Sequence, residues 1–474
     1  MSKKSRISGC WLGKSIGGTL GLPCEGKTGP LAYTFYDPIP TSAPPNDDLE
    51  LQLVWLHLLE TKGLHLTQQD FAEAWLSHIH YMWDEYGRCR WNLRRGVPAA
   101  AAGTFENWFT AGMGSPIRSE IWACLCIGHP SMAAHYAALD ASLDHGPEGI
   151  AGEVYLAALQ SLVLAGAPLD KALVNTLDWV DASTETARAI RLVLRLHADN
   201  RPVWDAYADI VRAHGHDNFT HTPLNLALTC WALVYGKGDF DTSVLLAVNG
   251  GYDTDCTAAT VGATLGMILG PDGINERWKT PIGDGVFLGP GIIGIRSADT
   301  LQDLTERTHA LMRRFAALAD KTVAAPAPIP AVDLAALPGT IPLHPLDGSA
   351  PVLWANGELP AAVLAAGGAE WTWTVGPESR PGCHIVALAR SGARLLLDGQ
   401  VLIDCPPGQP FVPAVHRSAT CARTAFTPAK PSYRVRLELG SRDPAQDASV
   451  LLATLPMHLT TWDGTVLPHA PLLP

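Results

Sequence analysis

The chain has 474 residues, 47% of them hydrophobic, which is enough for two or three domains with real cores. A formal charge of −12 and a pI near 5.7 exclude binding of a nucleic acid by charge alone, which needs clustered Lys and Arg. Ten scattered cysteines, with no C-x-x-C and one C-x-C at Cys124 and Cys126, exclude a zinc ribbon and a disulfide framework.

The first fifteen residues are partly basic but contain no apolar core of signal-peptide length, and no run approaches the roughly 20 residues of a membrane span. A cytoplasmic protein with no membrane partner is therefore expected. Pro44-Pro45 breaks the chain, and Asn46-Asp47-Asp48 then opens an apolar helical pattern. From there to about residue 315, apolar positions recur at three and four, with Gly or Pro at most joins. The spacing predicts helices over 49–60, 68–83, 118–128, 131–143, 150–165, 169–179, 184–197, 203–213, 223–235, 240–248, 255–269 and 299–318. An all-α domain over residues 1–322 follows. Asn249-Gly250-Gly251 precedes a second acidic group, Asp253-Thr254-Asp255-Cys256, at the start of the 255–269 helix. That helix carries Ala258, Gly262 and Gly266 on one stripe, which lets a neighbouring backbone approach closely.

Residues 323–345 are rich in Pro and Ala and read as a stiff linker. Beyond it, over 346–474, alternating runs such as Glu370–Val375, His384–Ala389, Tyr433–Leu439 and Ser449–Thr454 predict a small β-sandwich-like accessory domain. Asp398-Gly399 reads as a hairpin turn inside the run that begins at Ala393. Trp354, Trp371, Trp373 and Trp462 have two readings there, core packing or a sugar-stacking face.

The two acidic groups also have two readings. Asn46 is a good N-cap, and Asp47, Asp48 and Glu50 lie where the positive end of a helix favours acids. Capping explains one doublet well, yet four acids meeting beside buried helices repel one another unless cations neutralise them. Hard oxygen ligands of this kind suit Mg²⁺, Mn²⁺ or Ca²⁺. Other motifs carry less. Gly289–Gly294 matches G-x-G-x-x-G, but no βαβ unit precedes it. His214, His216, Asp217 and His221 could hold zinc, but they lie in a polar loop without a recognised spacing. Neither G-x-S-x-G nor H-E-x-x-H occurs.

Taken together, Gly9–Gly26, Asn46-Asp47-Asp48 and Gly250–Ala263 occur in an order that closely resembles the ADP-ribosylglycohydrolase family. The similarity extends to Ala111–Arg118, Asp144–Gly149 and Arg277–Asp284, and spans about residues 6–320. It implies an all-α catalytic domain that uses a metal-bound water to hydrolyse the N- or O-glycosidic bond of an ADP-ribosyl conjugate. The cofactor it implies is Mg²⁺ or Mn²⁺, as two ions. Asn46, Asp47, Asp48, Asp253, Asp255 and Cys256 fall at the metal-ligand positions, and Glu25, Asp48 and Asp253 at the catalytic ones. Gly112, Gly114, Ser115, Arg118 and His145 match segments that approach the substrate, although His145 and Glu148 also read as a structural cap between helices.

Three positions depart from the family pattern. Asn46 stands where Thr is common, Cys256 where Thr or Ser is common, and Gly17-Gly18 where Gly-Asp is common. Asn still offers a carbonyl oxygen, whereas Cys suits Mg²⁺ poorly. These changes keep two alternatives open: a non-catalytic ADP-ribose-binding or structural protein on the same fold, and a glycosidase for a small N-ribosyl compound. The expected partner is a small-molecule or ADP-ribosylated protein substrate, with homo-oligomerisation through the C-terminal domain a further possibility.

Overall fold

A computed structural model describes residues 1–81, 84–94, 96–105, 107, 109–319, 341–354, 359–375, 383–408, 423–441 and 450–456. The chain divides into two compact units, Met1–His80 with Ala111–Ile329, and Tyr81–Thr110 with Pro330–Pro474.

The first unit is helical. It comprises α1 (Lys3–Gly21), α2 (Asp47–Lys62) and α3 (Gln68–His78); α4 (Asp84–Arg94) and α5 (Ala99–Ala102) follow in the chain but belong to the second unit. It continues with α6 (Ser119–Leu125), α7 (Pro130–Ala141), α8 (Pro147–Leu164), α9 (Leu169–Asn175), α10 (Glu185–Ala198), α11 (Val203–His214), α12 (Thr222–Tyr235), α13 (Phe240–Asn249), α14 (Thr254–Leu269), α15 (Glu276–Ile282) and α16 (Leu301–Ala319). Among the described residues no helix is long and apolar enough to cross a membrane.

The central pair is α1 and α14, and the sequence reading missed α1. Its glycines hide it, because each costs a helix roughly 0.5–1 kcal/mol relative to Ala. In the fold they form a ridge at every fourth residue. A Cβ on Gly9 would lie 2.1 Å from the Gly266 carbonyl oxygen, one on Gly17 2.0 Å from that of Ala258, and one on Gly21 2.2 Å from that of Thr254. The two backbones touch along their length, in opposite directions, so the end of α1 meets the start of α14. Helix α3 stops at His78 instead of running to 83, because Ile79 forms a bridge with Ile292 and His80 N–H donates to the Gly291 carbonyl at 2.6 Å.

The second unit begins with residues 81–110, which carry α4 and α5. Asn92 Nδ2 donates to the carbonyls of Ala102 and Phe105 at 2.9 and 2.6 Å, beside a small cluster of Val97, Ala101 and Phe105. Among the described residues, the strands of this unit form two antiparallel sheets. One contains β1 (Ile341–Pro345), β2 (Val352–Trp354), β3 (Gly368–Thr374), β5 (Ala393–Leu397), β6 (Gln400–Cys405) and β8 (Ser432–Leu439), in the order β2-β1-β3-β8-β5-β6. The other runs β7 (Arg423–Phe426), β4 (Cys383–Ala389), β9 (Val450–Pro456), and a short helix, α17 (Ala361–Ala365), precedes β3.

Strand β1 corrects the expected linker, whose last five residues it takes. Ile341, Leu343 and Pro345 alternate inward, and the intervening Pro342 had disguised that apolar face. Residues 323–340 lie outside the described residues. Asp398 and Gly399 both have positive φ, +49° and +84°, the backbone of the expected two-residue hairpin joining β5 and β6. Trp354, Trp371 and Trp373 are buried in one apolar cluster with Leu395, Val435 and Ile385, which is the core reading; Trp462 lies outside the described residues.

Candidate metal centre

Two helix starts build the site. At α2, Asn46 has extended backbone and its Oδ1 accepts the Asp48 N–H at 2.7 Å, so Asn46 does the capping and the aspartates are released from it. At α14, Asp253 occupies the N-cap position, yet its side chain makes no capping bond. Instead its N–H donates to Asn225 Oδ1 at 3.2 Å, and Thr254 Oγ1 donates to the Gly21 carbonyl at 2.8 Å. Gly251 has φ +74°, and a Cβ there would lie 2.2 Å from Gly29 N, so only glycine fits. Hydrogen bonds from Gly26 N to Tyr252 O (2.9 Å) and from Tyr252 N to Lys27 O (2.7 Å) lace the Glu25 turn to the loop before Asp253.

Side chains more than two hundred positions apart in the chain thereby converge. Carboxylate oxygens of Glu25, Asp253 and Asp255 lie within 4.8 Å of one another, and so do ligand atoms of Asp48, Asp255 and Cys256. Asp255 belongs to both groups. Asn46 ties the helix starts together, its Nδ2 donating to Asp255 Oδ2 at 3.3 Å. Asp48, Asp253, Asp255 and Cys256 are buried, Asp47 is half-buried, and Glu25 is exposed, so the cluster opens to solvent on the Glu25 side.

The electrostatics are those of crowded acids. Loss of hydration raises the Asp48 carboxyl to about 7; Lys14 opposes the rise, and Asp255 and Glu120 add to it. Asp255 rises to about 6 through burial and then through Glu25. Asp253 and Asp47 also stand above the ordinary carboxylate range, first by burial and then by their acidic neighbours. Burial, followed by the surrounding aspartates, pushes the Cys256 thiol up as well.

One atom tests whether a cation suits this place. Asp255 Oδ1 is buried and has no hydrogen-bond partner among the described residues, a costly state for a carboxylate oxygen unless something positive completes it. Four carboxylates from Glu25, Asp48, Asp253 and Asp255 form an oxygen-rich donor set that fits a hard divalent cation. Cys256 is the poor member, a soft ligand whose Sγ donates to Asp48 Oδ2 at 3.5 Å.

The family profile described as ADP-ribosylglycohydrolase matches residues 1–319, two thirds of the chain and every part of this centre. The chain belongs to the ADP-ribosylglycohydrolase family. A solved structure described as an "ADP-ribosylglycohydrolase-related protein complex" is 21% identical, covers 67% of this chain and 99% of its own, and has a TM-score of 0.44. No curated protein matches. Membership of the ADP-ribosylglycohydrolases supports glycohydrolase activity in general.

The segments expected to approach an ADP-ribosylglycohydrolase substrate consist of buried residues at Gly112, Gly114, Ser115, Arg118 and His145. Arg118 is fully buried: it binds Asp144 at 2.9 Å through both Nη atoms, Asp140 at 2.8 Å and the Gly114 carbonyl at 2.8 Å. Among the described residues these internal acceptors engage both of its Nη atoms. His145 is equally buried, its Nδ1 2.9 Å from Asp144 Oδ1. Gly112, Gly114 and Ser115 lie buried in the loop before α6, where the Gly112 carbonyl accepts the Thr222 hydroxyl. Glu148 takes the capping role at a distance, accepting the N–H groups of Glu185 and Thr186 at 2.9 and 2.8 Å. His214 turns to Glu185 at 2.9 Å and His216 stacks on His221; among the described residues neither metal-competent group includes them.

Sequence reasoning missed Lys14, Glu120, Gln52 and Asn225. A lysine inside a run of small and apolar residues was the available signal for the first. The others had none, since their partners lie on distant helices.

Proposed function

We propose that the chain is a divalent-metal-dependent hydrolase cleaving the glycosidic bond of an ADP-ribosyl or related ribosyl conjugate. The observation that carries this reading is the convergence of two acidic groups on one shared residue, Asp255, with one of its oxygens left without a partner among the described residues. Asp253, Asp255 and Glu25 would hold one ion, and Asp48 with Asp255 provides a second position. Bound there, Mg²⁺ or Mn²⁺ supplies Lewis acidity and makes water nucleophilic near neutral pH.

This chain's own groups do the rest. Glu25 stands at the exposed mouth of the cluster, where a carboxylate can accept the proton of attacking water. Ribose hydroxyls entering from that side meet Asp253 and Asp255 as hydrogen-bond acceptors, which orients the anomeric carbon. Carboxylate oxygens of this cluster that face the sugar favour an oxocarbenium-like transition state.

The test is release of free ADP-ribose from modified Arg and Ser peptides, and of ribose from soluble nucleosides, with Mg²⁺, Mn²⁺ or chelator. Metal-dependent release that Asp253→Asn abolishes is expected. Turnover indifferent to chelator, or binding of ADP-ribose without any substrate being consumed, would defeat the proposal.

A further inference from the structure

We propose that Lys14 is a resident counter-charge that makes the metal centre unequal: one divalent ion binds tightly at Glu25, Asp253 and Asp255, and the half built on Asp48 and Cys256 fills only weakly. The inference rests on the metal-centre reading above and concerns how that centre loads.

Lys14 sits on α1 next to the glycine ridge and is 1% exposed. Its Nζ lies 3.1 Å from Glu120 Oε2 and 3.3 Å from Asp48 Oδ1. A buried ammonium persists only when paired, and here it has two carboxylate partners. With a carboxylate oxygen of each within salt-bridge distance, the pair holds the ammonium in its charged form. Its position is equally fixed. Glu120 Oε2 also accepts Gln52 Nε2 at 2.9 Å, Glu120 Oε1 accepts Gln160 Nε2 at 3.4 Å, and Gln52 binds the Ile121 N–H at 2.7 Å and the Asp48 carbonyl at 2.8 Å.

Both oxygens of Asp48 are therefore engaged, Oδ1 by the Lys14 ammonium and Oδ2 by the Cys256 thiol at 3.5 Å. An ion entering there has to displace a soft ligand while facing a fixed positive charge. The other half is built of carboxylate oxygens alone, from Glu25, Asp253 and the shared Asp255, whose Oδ1 has no hydrogen-bond partner among the described residues. Asp255 is shared, so filling its tight half also withdraws negative charge from the weak one. Lys14 acts through Asp48, as a positioning residue that sets occupancy.

The experiment is titration of Mn²⁺ into the metal-stripped full chain, followed by calorimetry and by electron paramagnetic resonance. The native chain should bind one Mn²⁺ at least tenfold more tightly than a second and show an uncoupled single-ion spectrum at one equivalent. Lys14→Met should tighten the second ion tenfold or more and produce a spin-coupled spectrum at two equivalents. The double variant Lys14→Met/Glu120→Gln leaves the net buried charge unchanged; it should do the same and serves if the single variant does not fold. Two ions of equal affinity in the native chain, or a second constant unmoved in the folded variants, would overturn the assignment of Lys14 while leaving the metal centre intact. No Mn²⁺ binding at all would overturn both.

Discussion

Gly13 of α1 and Gly262 of α14 stand backbone to backbone, so that a Cβ on Gly13 would lie 2.0 Å from the Gly262 carbonyl oxygen and one on Gly262 2.2 Å from that of Gly13. Neither neighbour is a flexible side chain that can move aside. Gly13→Ala should therefore cost about 1–3 kcal/mol or more by forcing the helices apart, and should weaken Mn²⁺ binding because the same contact sets the Glu25 turn against Asp253. Gly18→Ala is the control. Its Cβ would find Asn46 Nδ2 at 3.4 Å as its nearest neighbour, and helix propensity favours Ala by roughly 0.5–1 kcal/mol. Urea denaturation of the two variants should move their midpoints in opposite directions.

Asn46→Asp keeps an N-cap oxygen for the Asp48 N–H but removes the amide that donates to Asp255 Oδ2. The cluster gains a carboxylate. Without metal the variant should melt below the native chain, and Mn²⁺ should raise its Tm by more than it raises the native Tm. Equal metal-induced shifts would show that Asn46 lies outside the influence of the ions.

The raised carboxyls of Asp48 and Asp255, about 7 and about 6, make a prediction about pH. A folded acid that holds its proton more tightly than the unfolded one contributes stability that is complete below the unfolded value of about 4 and is lost as pH rises through the folded value. In chelator, Tm should fall between pH 5 and 8. Divalent ions take the place of those protons, so Mn²⁺ should flatten the decline and its stabilising effect should grow with pH. A chelated protein whose Tm is level across that range would contradict the cluster's electrostatics.

Arg118 offers a direct contrast between binding and structure. Burial alone would raise the Asp144 carboxyl, yet Arg118 and then His145 hold it at about 2. Arg118→Met would leave Asp140 and Asp144 buried without their cation, a loss on the order of 3–5 kcal/mol. Thermal denaturation should show that loss in full. A variant of native stability with only a raised KM would instead favour the substrate-contact role that the sequence suggested.

Some of these relationships were legible before any fold was known. The two helix starts announced themselves through Pro44-Pro45 and Gly250-Gly251, which interrupt the chain, and through acids placed on opening turns. Asp398-Gly399 likewise carried its hairpin in its own conformational preference. Helix α1 was not legible, because glycine lowers local propensity and its compensation comes entirely from α14. The partners of Arg118 were not legible for a related reason: a basic residue after a glycine turn looks the same in sequence whatever acidic groups the fold brings beside it.

Local chemistry by itself thus determined the helical and strand-rich regions, the acidic ligand candidates and the family resemblance, since periodicity, chain breaks and motif order are properties of neighbouring residues. Only the tertiary structure decided which acids meet, that Asp255 joins both groups, and that Lys14 enters among them. Those outcomes depend on two antiparallel backbones touching along a glycine ridge, and on carboxylates and an ammonium losing water together, interactions that exist only once distant segments pack.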